Sequence, residues 1–177
     1  MKVTSLKIPE LIVIEPDIFN DDRGFFFEAF NQKKFNQALG KKVHFVQDNH
    51  SKSKHGVLRG LHYQESPFAQ AKLVRVISGE IFDVAVDIRP NSKNYCQWVG
   101  EILSENNKKQ LWIPEGFAHG FLVLSDEAEI IYKTTQFYSK DHENCIAYND
   151  SKINITWPTL AIQYILSPND LEGHNLL

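Results

Sequence analysis

Short apolar or alternating runs recur along this chain, and turn-forming residues separate them. The runs that predict strands are ELIVIE, GFFFEAF, VHFVQ, VLRGLHYQ, KLVRVI, EIFDVAVDI, QWVGEIL, QLWIP, HGFLVL, EIIYKTTQF and INITW. The breaks between them carry turn residues, for example Ser78-Gly79 and Pro114-Glu115-Gly116. Many short strands at this spacing predict an all-β sandwich or barrel.

Helical signals are few, and nothing divides the chain. One helix is predicted from Asn31 to Leu39, because Asn31 can cap its start and Gly40 can end it. The tail from Ser167 predicts turns and one short helix. A length of 177 residues suits a single domain spanning 1–177, without a repeat or a linker.

Charge and cysteine content restrict the possible partners. The net charge of -3 predicts neither a nucleic-acid nor an anionic-membrane partner. Near the start, the apolar run from Leu11 to Ile14 is too short for a membrane span or a signal peptide. Cys96 and Cys145 have no metal-site spacing and are expected to be reduced thiols. We therefore expect a cytoplasmic protein.

The strand IFDVAVDI places acids on a face of their own. Asp83 and Asp87 alternate with Phe82 and Val84, so the acids lie on the opposite face of the strand. Asp87 is close to a turn and is expected to face water. Asp83 lies deeper in the strand, and the pattern leaves its environment open.

Three polar residues share a strand face with residues expected in the core. The ordinary interpretations are that Lys72 extends its ammonium to water, that His119 is a hydrogen-bonded core residue, and that Tyr132 packs in the core. The alternative is that the three converge in the mouth of the barrel, where polar groups form ligand sites.

The run VLRGLHYQ carries two polar residues, Arg59 and His62, at an odd spacing of three positions. With strict alternation, Arg59 and His62 face opposite sides of the strand. A β-bulge near Gly60 changes this parity and can direct both side chains into one cavity. We therefore predict a bulge at Gly60.

The segments GVLRGLHYQ, KLVRVISG and PEGFAHG resemble the two motifs of the cupin superfamily. Metal-binding cupins carry His-x-His and Glu in the first motif and a third His in the second. Here His62 and His119 remain, Gln64 replaces the second histidine, and Lys72 stands at or near the glutamate position. A lysine ammonium repels a divalent cation, so we expect no metal and no cofactor.

Longer blocks are similar to the dTDP-4-dehydrorhamnose 3,5-epimerase family. They are FNDDRGFFFEAF, FVQDNHSKSKHGVLRGLHYQ, AKLVRVISGEIFDVAVDIRPNS, QLWIPEGFAHGFLVLS, YKTTQFYS and WPTLAIQYILSPND, in family order from about Ile8 to Asp170. The resemblance implies an all-β, cupin-type jelly-roll barrel with few short helices. It also implies dTDP-4-dehydro-6-deoxy-glucose as substrate. Family members are homodimers whose N-terminal strands cross to the partner, so Arg23 or Glu28 is expected to act across the interface.

The same resemblance implies roles for four catalytic residues. The C4 ketone of the substrate acidifies the hydrogens at C3 and C5, so inversion requires a base, an acid and enolate stabilisation. His62 is the expected base, and Asp170 its orienting acidic partner. Lys72 is expected to stabilise the enolate oxygen, and Tyr132 to return a proton to the opposite face.

Further positions match substrate contacts of the family. The contacts with phosphate and sugar oxygens are assigned to Arg23, Arg59 and His119. Recognition of the nucleotide and the sugar is assigned to Glu28, Gln47 and Asn49. Phe26 and Tyr138 are expected to supply ring faces, and Glu143 one additional contact. Two positions depart from the family pattern, because Asn169 stands where a lysine is common and Phe137 where a tyrosine is common.

Four other functions stay open. A monofunctional 3- or 5-epimerase would use the same residues in a different pocket. A 3,4-ketoisomerase is usually shorter and lacks this combination of blocks. A non-catalytic sugar-nucleotide binding module is disfavoured by the presence of His62, Lys72 and Tyr132, and a metal-dependent dioxygenase by the missing ligands.

Overall fold

The computed structural model describes residues 1–176. Its regular elements are the strands β1 (Lys2–Ser5), β2 (Ile12–Glu15), β3 (Phe19–Asp21), β4 (Gly24–Phe26), β5 (Gln47–Lys54), β6 (Leu58–Gln64), β7 (Lys72–Ser78), β8 (Glu80–Asp87), β9 (Trp98–Ser104), β10 (Gln110–Ile113), β11 (Phe117–Val123), β12 (Glu127–Thr134) and β13 (Glu143–Cys145), and the helices α1 (Gln32–Leu39) and α2 (Pro168–Leu171). A short 3-10 turn covers Lys140–His142.

Two sheets enclose the core. One has six strands in the order β1-β2-β10-β7-β12-β5, and the other has five in the order β13-β6-β11-β8-β9. Val74, Leu111 and Ile130 of the first sheet and Ala85 and Phe121 of the second belong to one buried apolar cluster. The predicted all-β jelly-roll fold is confirmed. None of the helices within residues 1–176 is long and apolar enough to cross a membrane.

Both predicted helices are confirmed, and each begins with a cap. The Asn31 side chain accepts a hydrogen bond from the Lys34 amide at 3.1 Å, and Gly40 ends α1 with a φ of 64°. Such a left-handed φ is easily adopted by glycine. Ser167 caps α2, and Asp170 completes a capping box with it.

Two predicted strands are wrong. Residues 43–46 are irregular, because Val43 and Phe45 pack on a cluster with Phe35 of α1 and Trp112. The strand begins only at Gln47. The run 153–157 is also not a strand, since its apolar side chains cover a second core cluster and Trp157 donates to the Tyr148 carbonyl at 2.8 Å.

The expectation that Asp87 faces water is also wrong. Its side chain is fully buried and accepts hydrogen bonds from Arg89 Nε at 2.9 Å and Ser92 Oγ at 2.6 Å. Burial alone would raise the pKa of Asp87, but the bonds from Arg89 and Ser92 lower it below its ordinary value. The turn after β8 therefore folds back over this carboxylate instead of exposing it.

Candidate active site

A cavity of about 280 Å³ lies between the two sheets. Nine of the predicted site residues line it: Gln47, Asn49, Arg59, His62, Lys72, His119, Tyr132, Tyr138 and Glu143. They come from β5, β6, β7, β11, β12 and β13 and from the segment after β12. The fold thus gathers residues that are up to 96 positions apart in the chain, between Gln47 and Glu143.

The predicted bulge in β6 is present. In the pairing of β6 with β11, His62 lies opposite His119 while Arg59 lies opposite Phe121, so β6 has one extra residue. Gly60 has a φ of 130°, and a Cβ atom there would lie 2.5 Å from the Gly120 Cα. Only glycine fits this close approach. The extra residue lets Arg59 and His62 line the same cavity.

His62 is held by a buried carboxylate. Its Nε2 lies 2.8 Å from Asp170 Oδ1, and the Asp170 side chain is 3% exposed. Burial would raise the pKa of Asp170, but hydrogen bonds from His62, from Ser167 and from the Gly60 amide hold it well below its ordinary value. Asp170 is therefore an anion at neutral pH that accepts from the Nε2–H of His62.

The other ring nitrogen of His62, Nδ1, is free to accept a proton. Since Nε2 carries the proton that is donated to Asp170, Nδ1 keeps a basic lone pair. Among the described residues Nδ1 has no hydrogen-bond partner, and the nearest carboxylate oxygen recorded, Glu143 Oε1, is 3.9 Å away. This unpartnered nitrogen borders the cavity and can accept a proton from a bound molecule.

Lys72 enters the cavity and does not extend to water. It is buried, and its Nζ donates to the His62 carbonyl oxygen at 3.4 Å. Burial lowers the pKa of Lys72 to about 8, and the nearby Asp83 and Glu143 oppose this shift. The ammonium still predominates at neutral pH. Lys72 thus brings a positive charge to a buried position at the cavity, where burial strengthens its action on a developing anion.

Tyr132 also lines the cavity, so it is more than a core residue. It lies on β12, opposite Asn49 of β5 and Val74 of β7. Burial raises the pKa of Tyr132, and Arg59 opposes the shift. Its hydroxyl therefore stays protonated at neutral pH and is available as a proton donor.

A second histidine–carboxylate pair lies beside the first. His119 Nε2 is 2.9 Å from Oδ2 and 3.0 Å from Oδ1 of Asp83, and Asp83 is fully buried. The side chain of Asp83, which the pattern left open, therefore faces the barrel interior. His119 is both the hydrogen-bonded residue of the ordinary interpretation and a residue that lines the cavity.

Two side chains at the rim contact each other. The Tyr138 hydroxyl donates to Glu143 Oε2 at 3.0 Å, while the Tyr138 side chain remains largely exposed. Elsewhere in the cavity lining, Gln47 Nε2 donates to Asn49 Oδ1 at 2.9 Å, and the exposed Arg59 donates from Nε to Ser53 Oγ at 3.1 Å.

Four predicted residues are absent from the lining of this cavity within one chain: Asp170, which contacts the cavity residue His62, and Arg23, Phe26 and Glu28. Arg23 pairs with Asp21 and is almost fully exposed, and Phe26 is 70% exposed. Glu28 accepts instead from Lys34 Nζ at 2.8 Å and from Asn31 Nδ2 at 3.1 Å. Arg23, Phe26 and Glu28 lie on the β3–β4 hairpin or in the segment after it, away from the cavity lining.

Ser51 is a cavity residue that the sequence analysis missed. Its Oγ is buried and has no hydrogen-bond partner among residues 1–176. It lies on the same face of β5 as Gln47 and Asn49, two positions apart along the strand. Polar alternation in Gln47–Lys54 was the available signal, but that pattern lacks apolar residues and was not interpreted as a strand.

One group of possible metal ligands occurs in the described part of the chain. His62, Cys145 and Asp170 place one ligand atom each within 4.8 Å of one another. Burial, followed by Asp170 and Glu143, raises the pKa of the Cys145 thiol to about 11, so it stays protonated and is a poor ligand. Because Asp170 is occupied by His62, Gly60 and Ser167, this set suits a hydrogen-bonded pair better than a metal.

Comparisons with known proteins agree with this geometry. The family model described as dTDP-4-dehydrorhamnose 3,5-epimerase matches residues 5–177. A curated relative of that name from Shigella flexneri is 58% identical over 177 residues, which cover 100% of this chain and 97% of the relative.

Two solved structures share the fold over nearly their whole length. The dTDP-6-deoxy-D-glucose-3,5-epimerase of Legionella pneumophila, in complex with dTDP-4-keto-L-rhamnose, is 52% identical with a TM-score of 0.95, covering 98% of this chain and 92% of that one. A dTDP-4-dehydrorhamnose 3,5-epimerase from Bacillus anthracis with TDP and PPi bound is 43% identical with a TM-score of 0.93, covering 99% of each chain.

Proposed function

This chain belongs to the dTDP-4-dehydrorhamnose 3,5-epimerase family, and we propose that it inverts C3 and C5 of dTDP-4-dehydro-6-deoxy-glucose by proton transfer. The observation that carries the mechanism is one cavity that contains a free His62 Nδ1, a buried Lys72 ammonium and a protonated Tyr132 hydroxyl. These are a base, an electrostatic stabiliser and an acid.

The proton transfers balance at each carbon. His62 Nδ1 takes the hydrogen from C3, and the electron pair of that bond forms an enolate with its charge on the C4 oxygen. The Lys72 ammonium stabilises this oxygen. Tyr132 then donates its hydroxyl proton to C3 from the other face, and exchange with solvent resets both side chains. The same sequence at C5 gives dTDP-4-dehydro-L-rhamnose.

Asp170 accepts from the Nε2–H of His62 at 2.8 Å, so its carboxylate lies beside the imidazolium that forms when Nδ1 takes a proton and stabilises that charge. It also fixes the ring orientation, since its other contacts anchor it to Ser167 and Gly60. No step requires a metal or cofactor, because the substrate already carries the carbonyl that acidifies C3 and C5.

The activity is tested by incubating the protein with dTDP-4-dehydro-6-deoxy-glucose and a chelator in deuterated water. NMR is expected to record deuterium and inversion at both carbons. Inversion at only one carbon would assign the chain to the monofunctional epimerases. Loss of turnover that returned only with added metal would contradict the mechanism.

Arg59 is proposed to bind the diphosphate, since its fork of donors suits phosphate oxygens. Arg59→Ala is expected to weaken binding of dTDP, without a sugar, by about ten- to a hundredfold, the value of a charge-assisted hydrogen bond. Isothermal titration calorimetry measures this change. Lys52→Ala is the matched control, because Lys52 faces away from the cavity and pairs with Glu127 at 2.6 Å. Unchanged dTDP affinity in Arg59→Ala would place Arg59 outside the diphosphate site.

The active form is proposed to be a homodimer. Phe19, Phe25 and Phe26 on the β3–β4 hairpin are 65%, 57% and 70% exposed, an apolar surface that favours burial against another chain. Arg23 and Glu28 lie on or next to this hairpin and would complete the partner's cavity. A monomeric mass in sedimentation equilibrium, at the concentrations of the activity assay, would contradict this arrangement.

A cytoplasmic location is part of the same proposal. Cys96 and Cys145 are both free, which suits a reducing compartment. Detection of the protein outside the cytoplasm by cell fractionation would contradict it.

A further inference from the structure

Tyr138 is carried by a short loop, Gln136–Ser139, which is called the tyrosine loop below. It connects β12 to the 3-10 turn that begins at Lys140. The ring of Tyr138 is 54% exposed at the cavity rim, and only its hydroxyl is tied down, by Glu143 at 3.0 Å. Its position therefore depends on how the loop backbone is held.

Glutamine side chains hold this backbone. Three consecutive amides each donate to a glutamine Oε1: Phe137 to Gln136 at 2.9 Å, Tyr138 to Gln47 at 3.1 Å, and Ser139 to Gln64 at 2.8 Å. Gln136 belongs to the loop itself, but Gln47 and Gln64 lie on β5 and β6, so these two side chains tie the loop backbone to the rest of the fold.

Gln64 is the buried member of this set. It ends β6, is 8% exposed, and lines the cavity two residues after His62. Besides accepting from Ser139, its Nε2 donates to the Phe137 carbonyl at 3.1 Å and to the Phe68 carbonyl at 2.7 Å. One side-chain amide therefore hydrogen-bonds to the residues on both sides of Tyr138 and links them to β6.

The chemistry of this contact requires a primary amide. It presents one acceptor to an N–H and two donors to two carbonyls, and no other side chain of similar length does so. A histidine, the residue of metal cupins at this position, cannot satisfy all three groups. A buried N–H or carbonyl left without its partner costs free energy, so the loop would move to find water.

We propose that Gln64 is a positioning residue that orders the tyrosine loop so that the Tyr138 ring faces the nucleotide. The inference rests on the proposed function and on the family resemblance, which implies a ring contact between Tyr138 and the substrate. Preorganising the ring before binding removes the entropy cost of ordering the loop during binding. Gln64 thereby acts on nucleotide affinity without touching the substrate chemistry.

The first test concerns the loop alone. Gln64→Met keeps the side-chain length and deletes the three hydrogen bonds. In the dTDP-free protein, amide exchange in residues 137–139 is expected to become about tenfold faster or more, since local opening is easier. Hydrogen exchange followed by mass spectrometry measures this. Native exchange rates in the loop would overturn the inference, whatever the enzyme catalyses.

The second test separates positioning from general destabilisation. We expect Gln64→Met and Tyr138→Ala each to weaken dTDP binding about tenfold, because loss of a stacked ring has an effect of this size. In the Tyr138→Ala background, Gln64→Met should add less than about twofold, since no ring remains to be positioned. Additive losses would mean that Gln64 acts by another route and would overturn the inference.

Two further outcomes keep the proposals distinguishable. If Tyr138→Ala binds dTDP normally, the proposed nucleotide contact of Tyr138 is wrong, and the role of Gln64 falls with it, while the epimerase activity is untouched. If Gln64→Met does not fold, Gln64→Glu replaces it. Glutamate keeps the acceptor for Ser139 but sets a carboxylate against two carbonyls, and the same loosening and the same non-additivity are expected.

Discussion

Replacing His62 by asparagine is expected to abolish deuterium exchange at both C3 and C5 of the substrate. One base is proposed to serve both carbons, and general-base catalysis contributes about 100- to 10,000-fold. The fold should survive, because the ring lies at the cavity wall with 26% of the side chain exposed. Exchange of each hydrogen by NMR in deuterated water measures the effect, and circular dichroism checks the fold.

Two variants define what this result means. His50→Asn makes the same substitution on the outer face of β5, where His50 contacts Glu129 at 3.3 Å, and should exchange at the native rate. Asp170→Asn should slow exchange less than His62→Asn, because it removes the orienting charge and leaves the base. If His62→Asn still exchanged either hydrogen near the native rate, another group would be the base.

Tyr132→Phe is expected to separate exchange from inversion. His62 and Lys72 remain, so the variant should still remove a proton and return deuterium to the same face. Inverted product should fall about 100- to 10,000-fold, because the hydroxyl that donates to the other face is missing. The ring is retained, so packing changes little. Comparing deuterium content with product stereochemistry by NMR measures the two steps independently.

Two results would contradict the proposed role of Tyr132 as the acid. Exchange and inversion that fall together, or not at all, would make it a packing residue. Formation of the rhamnose-type sugar at the native rate would mean that water or another side chain is the donor. Tyr164→Phe is the matched control, since it removes a hydroxyl that donates to the Pro158 carbonyl at 2.9 Å outside the cavity lining. It should leave both steps unchanged.

Local signals in the sequence were sufficient for several parts of the fold. Asn31 and Gly40 correctly marked the ends of α1, because caps are satisfied within a few residues of the chain. Gly60 correctly marked the bulge in β6, because opposite parity left no other way for Arg59 and His62 to share a cavity. The resemblance, and not periodicity, supplied the roles of the site residues.

Apolar runs led to wrong strand predictions where the side chains are buried but the backbone does not pair with another strand. Residues 43–46 and 153–157 have strand-like composition, yet they cover neighbouring clusters as irregular chain. Strand β5 has the opposite character, since its inward residues face a polar cavity and its outward residues face water. The sequence of β5 therefore shows no alternation of apolar and polar residues.

By itself, the sequence determined the all-β class, the ends of α1, the bulge at Gly60 and, through family resemblance, His62, Lys72, Tyr132 and Asp170 as candidates. Only the tertiary structure decided that Nδ1 of His62 is the free nitrogen, that Asp83 pairs with His119 and that Gln64 holds the tyrosine loop. The physical reason is that periodicity reports which face of a strand avoids water. The partner that a buried polar group finds across the barrel depends on distances set by the packed sheets.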